Sequence, residues 1–316
     1  MSRYSLKTTP LLLVISVISL LSCMKEEQEA PGDTKDIAVS LEDTQVKTVF
    51  DSSHTSVLWE EGDCIGIYHN AGAGNLQNGR LEYMQSGNLT ATVPVRADRI
   101  FGIYPYDGSM GTDPSQVAVS IPSTQKQTEP GQMDGEHFPL VAAGTVSEGH
   151  VRLGFSPLAA MIAFNIYSTT SDGTESVRQV TVTPTKNSSY AGTQKIDLTA
   201  DTPAFTAGTL SSGVTVTVEN PLPLDSTRPA DSDLKSYAKQ LYLTLARQSY
   251  TYMNIEVITT TGNRYTMQTN ATALDCTNDD ITLLNINLAT KTVTRVLFTG
   301  TEELHKVNYR VFSPVF

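Results

Sequence analysis

Apolar and polar residues alternate with a period of two along most of the chain. Ile37, Val39 and Leu41 share one parity, with small or polar residues between them. Clusters of Gly, Pro, Asn, Asp and Ser interrupt the alternation, which is typical of short β-strands joined by turns. The same spacing recurs at Ile65 and Ile67, at Phe101 and Ile103, and at Val151, Leu153 and Phe155. The pattern predicts an all-β protein with little helix.

One segment of the first half departs from this alternation. Residues 158–167 (LAAMIAFNIY) carry apolar side chains on both parities. Such a segment is typical of a central strand that is covered on both faces. We expect it to anchor the core of the first half.

The second half repeats the alternating pattern after the polar, turn-rich residues 181–194. Its predicted strands lie at residues 214–218, 241–245, 253–257, 281–288 and 293–298. Residues 221–233 contain three prolines and no alternation, so they predict a surface loop. Since about 290 residues are enough for two domains of ordinary size, we predict two β-sandwich domains, residues 37–185 and 186–316.

The chain begins with the features of a lipoprotein leader. Two basic residues precede an apolar run at residues 11–21, which is shorter than the roughly 20 residues that a transmembrane helix needs. The LLSC sequence at residues 20–23 has the order that a lipoprotein signal peptidase recognises. We therefore expect residues 1–22 to be removed and Cys23 to carry the acyl chains, such as palmitate, of a membrane anchor.

The residues after Cys23 predict a flexible tether and a cellular location. Residues 23–36 are charged and lack apolar periodicity, so we predict a flexible acidic tether. The sequence MKEE at residues 24–27 resembles the lysine-plus-acid export signal of surface-exposed lipoproteins in Gram-negative anaerobes. This resemblance implies the outer face of the outer membrane.

The charge of the chain excludes one class of partner. Removing residues 1–22 takes away two of the 22 Lys and Arg and none of the 33 Asp and Glu, which leaves a net charge of −13. Because a nucleic-acid-binding surface needs a basic face, nucleic acid is excluded as a partner. Besides Cys23 only Cys64 and Cys276 are present. We predict free, buried thiols that pack as small apolar groups, the alternative being a disulfide between them.

No residue pattern predicts a catalytic or metal site. The five histidines are scattered without ligand spacing, which predicts solvated loop positions. Residues 154–158 begin like a nucleophile elbow, but Leu158 replaces the last glycine. The acidic cluster at residues 275–280 lacks the glycine and late glutamate of an EF-hand loop, so it predicts a plain turn. The sequence therefore predicts a non-enzymatic protein without cofactor or metal, with Trp59 in the core.

Residues 47–68 (KTVFDSSHTSVLWEEGDCIGIY) resemble the start of the fimbrillin-like (type V pilin) lipoproteins. In that family a Trp, an acidic pair and a Gly-Asp turn lead into an apolar strand, as residues 59–67 do here. Residues 101–106 (FGIYPY) are similar to the family's aromatic-Tyr-Pro-Tyr strand, and residues 151–164 to its strand pair. The resemblance covers most of the first half and implies two tandem transthyretin-like β-sandwich domains.

The resemblance also implies a route of assembly. In these pilins a trypsin-like protease removes the first strand after a basic residue, and an extended segment of another subunit fills the groove. Lys47 is the corresponding processing residue here, at a position where arginine is usual. Ile37, Val39 and Leu41 would then belong to the replaceable strand.

The C-terminal segment has the alternation of a donor strand. Val307, Tyr309 and Val311 share one parity after a polar spacer at residues 300–306. Such a segment suits β-augmentation, in which an extended peptide adds to the edge of a sheet. The alternative is that residues 307–316 form the last edge strand of their own chain, because alternation does not say which groove they fill.

The sequence thus leads to a surface lipoprotein of the outer membrane that acts as a fimbrial subunit or accessory protein in cell adhesion. Its expected partners are other fimbrial subunits, the outer-membrane lipid reached through acylated Cys23, and a ligand on a host or bacterial surface. Processing would place the protein in the fimbrium. The alternative function is that of a monomeric surface lipoprotein that binds glycans.

Overall fold

The alternating segments form β-strands, as their period of two predicts. A computed structural model of the chain describes residues 33–42, 59, 61–71, 79–84, 89–131, 135–184, 190–211, 213–228, 240–250, 252–269, 274–276 and 281–295. These residues contain 22 strands and no α-helix, so the all-β class is confirmed. Two short 3₁₀ turns, Gly108–Met110 and Gly135–His137, are also present.

The strands are short, and their bounds in chain order are as follows. The first half contains β1 Thr34–Leu41, β2 Cys64–His69, β3 Gly79–Glu82, β4 Leu89–Pro94, β5 Arg99–Tyr104, β6 Val117–Ile121, β7 Thr124–Gln127, β8 Leu140–Thr145, β9 His150–Leu153, β10 Ser156–Pro157, β11 Ala159–Tyr167 and β12 Ser176–Pro184. The second half contains β13 Ala191–Ile196, β14 Phe205–Ser211, β15 Val214–Pro223, β16 Gln240–Ala246, β17 Gln248–Tyr250, β18 Met253–Thr259, β19 Arg264–Gln268, β20 Leu274–Cys276, β21 Ile281–Asn287 and β22 Thr292–Arg295.

The strands form several sheets, in most of which strands distant in sequence are neighbours. The sheet orders are β4-β1-β9, β10-β8-β5-β2-β3, β16-β11-β21-β22, β19-β18-β12-β15-β7, β14-β13-β6 and β17-β20. Most pairs are antiparallel, but β1 with β9, β11 with β21 and β15 with β7 are parallel.

The segment that is apolar on both parities is a central strand, as predicted. β11 lies between β16 and β21, and its residues from Ala159 to Ile166 are all buried. Its partners come from the second half of the chain. The expectation that it anchors the core of the first half is therefore wrong, because it anchors a sheet that both halves build.

Other strand pairs also join the two predicted halves. β12 lies between β15 and β18, β6 pairs with β13, and β7 pairs with β15. The predicted boundary at residue 185 falls in residues 185–189, outside the described residues. The two-domain division stays a prediction, and any boundary must accommodate these pairings.

Two glycines allow the sheet that contains β1 to approach its neighbour. A Cβ atom at Gly144 in β8 would collide with the carbonyl oxygen of Arg152 in β9. A Cβ atom at Gly102 in β5 would lie 2.7 Å from Cζ of Phe155. Because both positions lack a side chain, β9 can lie against β5 and β8, and β1 is held beside it.

Two predicted element bounds are wrong. The first strand begins at Thr34 rather than Ile37, so the last residues assigned to the tether pair with β4. The predicted surface loop at residues 221–233 begins inside β15, which runs to Pro223. Leu222 is only 2% exposed, because a register shift in β12 lets it pair with Val177 despite the flanking prolines.

Candidate functional site

β1 occupies the middle of a three-stranded sheet. It runs antiparallel to β4, from the pair Thr34 and Pro94 to the pair Val39 and Leu89. It runs parallel to β9, from the pair Ala38 and His150 onward. β4 and β9 share this sheet only through β1. We call the space between these two strands the β1 seat.

The side chains of β1 divide between the core and the solvent, because successive residues of a strand face opposite sides. Ile37 is fully buried and Val39 is 4% exposed, and Leu41 packs against the same apolar cluster. Thr34, Asp36 and Ala38 are exposed. Burying a side chain such as Ile37 or Val39 is worth about 1.5 to 3 kcal/mol, so the strand parity has a large effect on stability.

Further hydrogen bonds hold both ends of β1. The Val95 backbone N–H donates to the Asp33 carbonyl over 2.8 Å, and the Glu42 backbone N–H donates to the Leu153 carbonyl over 2.9 Å. On the exposed face, the Thr92 hydroxyl donates to the Asp36 carboxylate over 2.7 Å. Backbone groups supply most of these contacts, so strands of different sequence could form the same hydrogen bonds in the β1 seat.

The β1 seat can therefore bind an extended chain. Main-chain pairing on both sides gives affinity in such a site, and pockets for alternate side chains give fit. If β1 were absent, β4 and β9 would both present unpaired N–H and C=O groups beside exposed apolar side chains. Exposed strand edges of this kind readily pair with another chain.

The structure brings together only part of the predicted site. Ile37, Val39 and Leu41 lie on one strand and face the core, as their parity predicted. The other predicted site residues lie outside the described residues: Cys23, Lys47, Val307, Tyr309 and Val311. Their roles stay predictions.

The sequence pattern predicted β9 but not β4, and it did not predict that β1 lies between them. The alternating sequence LTATV at residues 89–93 could have identified β4. The alternation of Val151 and Leu153 predicts the strand β9. No pattern within either segment predicts its parallel pairing with β1. Parallel partners are joined through long connections, so only the folded chain reveals them.

The two cysteines in the described part of the chain are free thiols, as predicted, rather than a disulfide. Cys276 is buried, as predicted, whereas Cys64 is only half-buried. Burial raises the pKa of the Cys64 thiol, and the nearby Arg80 only partly offsets this effect. A thiol with a raised pKa stays protonated at neutral pH and is a poor nucleophile.

Among the described residues, no group of three or more His, Cys, Asp or Glu side chains could hold a metal ion. No helix among the same residues is long and apolar enough to cross a membrane.

Two aromatic predictions have different outcomes. Trp59 packs against the core, with ring centroids 5.0 Å from Phe155 and 5.5 Å from Tyr104, which confirms its predicted core role. The prediction of a solvated loop position is wrong for His69, which ends β2 and is 4% exposed. Its Nδ1 accepts a hydrogen bond from the Ala71 backbone N–H at 3.3 Å. His69 therefore belongs to the buried part of β2 rather than to a loop.

Comparison with known proteins identifies relatives by fold. The chain matches no sequence family and no curated protein. A "putative cell adhesion protein" from Bacteroides ovatus ATCC 8483 is 17% identical, with 84% of this chain and 97% of that chain covered and a TM-score of 0.57. A protein of the same description from Bacteroides uniformis ATCC 8492 is 16% identical, with 82% and 96% covered and a TM-score of 0.50.

Fimbrial proteins are also among the structural neighbours. The fimbrial anchor protein Mfa2 from Porphyromonas gingivalis is 11% identical, with 84% of this chain and 96% of that chain covered and a TM-score of 0.37. The chain shares the fold of the two proteins that carry the description "putative cell adhesion protein".

Proposed function

We propose that this chain is a surface-exposed lipoprotein of the outer membrane that acts as a fimbrial subunit or accessory protein in cell adhesion. It assembles by donor-strand exchange, in which a strand of another subunit replaces β1. The observation that carries the proposal is the position of β1 between β4 and β9, which share no ladder of their own. The likeness in fold to cell adhesion proteins supports the same role.

The connectivity of β1 suits its removal. β1 ends at Leu41 and β2 begins at Cys64, so one cut after Lys47 separates the whole of β1 from every other strand. Lipid attached at Cys23 would leave with the same fragment. The anchor then serves delivery to the surface, and the processed subunit is released for assembly.

The donor segment has the pattern that the β1 seat requires. The seat buries Ile37 and Val39 and leaves Ala38 exposed, so it accepts alternate apolar side chains. In the proposal Val307, Tyr309 and Val311 of a second subunit take the positions of the three apolar residues of β1. Main-chain pairing with β4 and β9 supplies affinity that does not depend on donor sequence.

Deleting residues 307–316 tests the donor assignment. We expect the deletion to abolish polymers in gels and electron micrographs, because processed subunits would keep an empty β1 seat. A sharper pair of variants is Tyr309→Asp and Asn308→Asp, which add the same charge on opposite parities. Tyr309→Asp should abolish polymers and Asn308→Asp should leave them.

Two results would contradict the assignment. Polymers that persist after the deletion would show that residues 307–316 are not the donor. Equal loss of polymers in Tyr309→Asp and Asn308→Asp would show that the parity of the segment does not matter.

A further inference from the structure

The outer edge of β16 is paired without a neighbouring strand. β16 ends its sheet, with β11 on its inner side. β7 approaches the outer side but belongs to another sheet, where it pairs with β15. Two glutamines of β7, Gln125 and Gln127, bridge the gap with their side chains.

The Gln125 amide pairs with Thr244 as a peptide group would. Its Oε1 accepts a hydrogen bond from the Thr244 backbone N–H at 2.9 Å, and its Nε2 donates to the Thr244 carbonyl at 2.7 Å. The second Nε2 hydrogen is directed to the Pro122 carbonyl at 3.0 Å. Both polar groups of one edge residue are thus satisfied by one side chain.

The Gln127 amide binds backbone groups of two residues further along the same edge. Its Oε1 accepts from the Tyr242 backbone N–H at 2.9 Å, and its Nε2 donates to the Gln240 carbonyl at 2.9 Å. The remaining Nε2 hydrogen is directed to the Glu129 carbonyl at 2.9 Å. Because residues two apart in a strand face the same side, the spacing of the two glutamines matches the spacing of the edge groups on β16.

Other groups close the two ends of this edge. The Gly131 backbone N–H donates to the Gln240 carbonyl at 2.8 Å, and the Ala246 backbone N–H donates to the Tyr190 carbonyl at 2.8 Å. The Tyr250 hydroxyl donates to the Ala246 carbonyl. Side-chain amides and turn groups thus bind outward backbone groups of β16 from Gln240 to Ala246, although no strand pairs with this edge among the described residues.

The sequence of β16 explains why such closure matters. Residues 240–246 (QLYLTLA) contain no charge, no proline and no glycine, and all seven are buried. Charged side chains, prolines and bulges are the usual protection of an edge strand against pairing with another chain. A strand that lacks them and is rich in β-forming residues is a hazard for aggregation when its edge is free.

We propose that Gln125 and Gln127 close the outer edge of β16 against the addition of a strand from a second copy of this chain. The two amides are 2% and 1% exposed, so they form a buried element rather than solvent-facing side chains. The inference is independent of strand exchange at the β1 seat. Strand exchange at the β1 seat joins subunits, whereas closure of the β16 edge prevents unwanted pairing between copies of the chain.

The double variant Gln125→Met and Gln127→Met tests this inference in the full, unprocessed chain. Methionine keeps the length of the side chain but cannot pair with peptide groups. We expect the folded variant to self-associate at concentrations at which the wild type is monomeric by light scattering. Amide exchange of Tyr242 and Thr244 should accelerate at least tenfold, while that of Leu243, whose N–H faces β11, changes less.

The matched control is Gln116→Met with Gln179→Met. These glutamines contact the side chains of Lys195 and Thr181 rather than the edge of a strand, so the control should stay monomeric. Association of the variant should persist when residues 307–316 are deleted, which separates it from donor-strand exchange.

Two results would overturn the inference. A double variant that folds and stays monomeric would show that the amides only join two sheets. If the variant does not fold, amide exchange in the wild type decides the question. Tyr242 and Thr244 must exchange as slowly as Leu243, and exchange as fast as that of surface amides would show an open edge.

Discussion

At the scale of single residues, Glu175 is a carboxylate that accepts several hydrogen bonds. It precedes β12, and its oxygens accept hydrogen bonds from four side chains of the β18–β19 hairpin. The donors are the Thr259 hydroxyl, the Thr261 hydroxyl at 2.7 Å, the Asn263 amide at 2.9 Å and the Tyr265 hydroxyl at 3.1 Å. One carboxylate therefore ties the start of β12 to the β18–β19 hairpin.

These contacts change the pKa of Glu175. Partial burial alone would raise that pKa, but the hydrogen bonds outweigh burial and hold it below its ordinary value of 4.5. Because the pKa is lower in the folded chain, the carboxylate stabilises the fold at pH values above the unfolded-state pKa. That contribution is lost as the pH falls through the folded-state pKa.

Glu175→Gln tests this linkage. We expect the variant to have a lower Tm than the wild type at pH 7. The difference should be smaller at pH 3, because the wild-type carboxylate gains protons as the pH falls through its folded-state pKa. Thermal unfolding followed by circular dichroism measures both values. Glu219→Gln, at an exposed position of β15, is the control and should change little at either pH. An equal deficit for Glu175→Gln at both pH values would contradict the linkage.

At the scale of elements, β1 is held by one apolar face and two main-chain ladders. Ile37→Ala in the unprocessed chain should lower the free energy of unfolding by about 2 to 5 kcal/mol, because a fully buried side chain leaves a cavity. Ala38→Thr changes the exposed neighbour and should have an effect within about 0.5 kcal/mol. Urea unfolding measures both. Equal losses would contradict the assignment of the buried face.

The alternation of side chains predicted the elements better than their partners. Ile37 and Val39 face the core and Ala38 faces solvent, because the period of two follows from backbone geometry. The prolines of residues 221–233 led to the wrong prediction that this loop begins at residue 221, since Leu222 pairs with Val177 in spite of them. The pairing of β1 with β9 depends on contacts between distant segments, which no local pattern encodes.

The closure of the β16 edge likewise leaves no local signal in the sequence. Gln125 and Gln127 belong to the sequence TQKQ, which by composition predicts an ordinary polar segment. Their burial follows from the approach of β7 to β16, although eight of the described strands lie between these two in sequence order. A polar residue becomes a core residue only where the fold supplies partners for its hydrogen bonds.

At the scale of the whole molecule, the strand edges differ in what pairs with them. The β16 edge is occupied by side-chain amides, whereas β4 and β9 depend on β1 for their pairing. A protein that exchanges strands needs one seat that can open and other edges that stay closed. In our account, the β1 seat accepts the donor strand, and the side-chain amides of β7 prevent a second copy of the chain from pairing with β16.

The central claim is that processing after Lys47 removes β1 and opens its seat. The N-terminal residue of the chain isolated from the surface of producing cells tests this claim most directly, by mass spectrometry of the intact protein. The account predicts that assembled chains begin at Thr48 and carry no lipid. Assembled chains that begin at acylated Cys23 and retain β1 would contradict it.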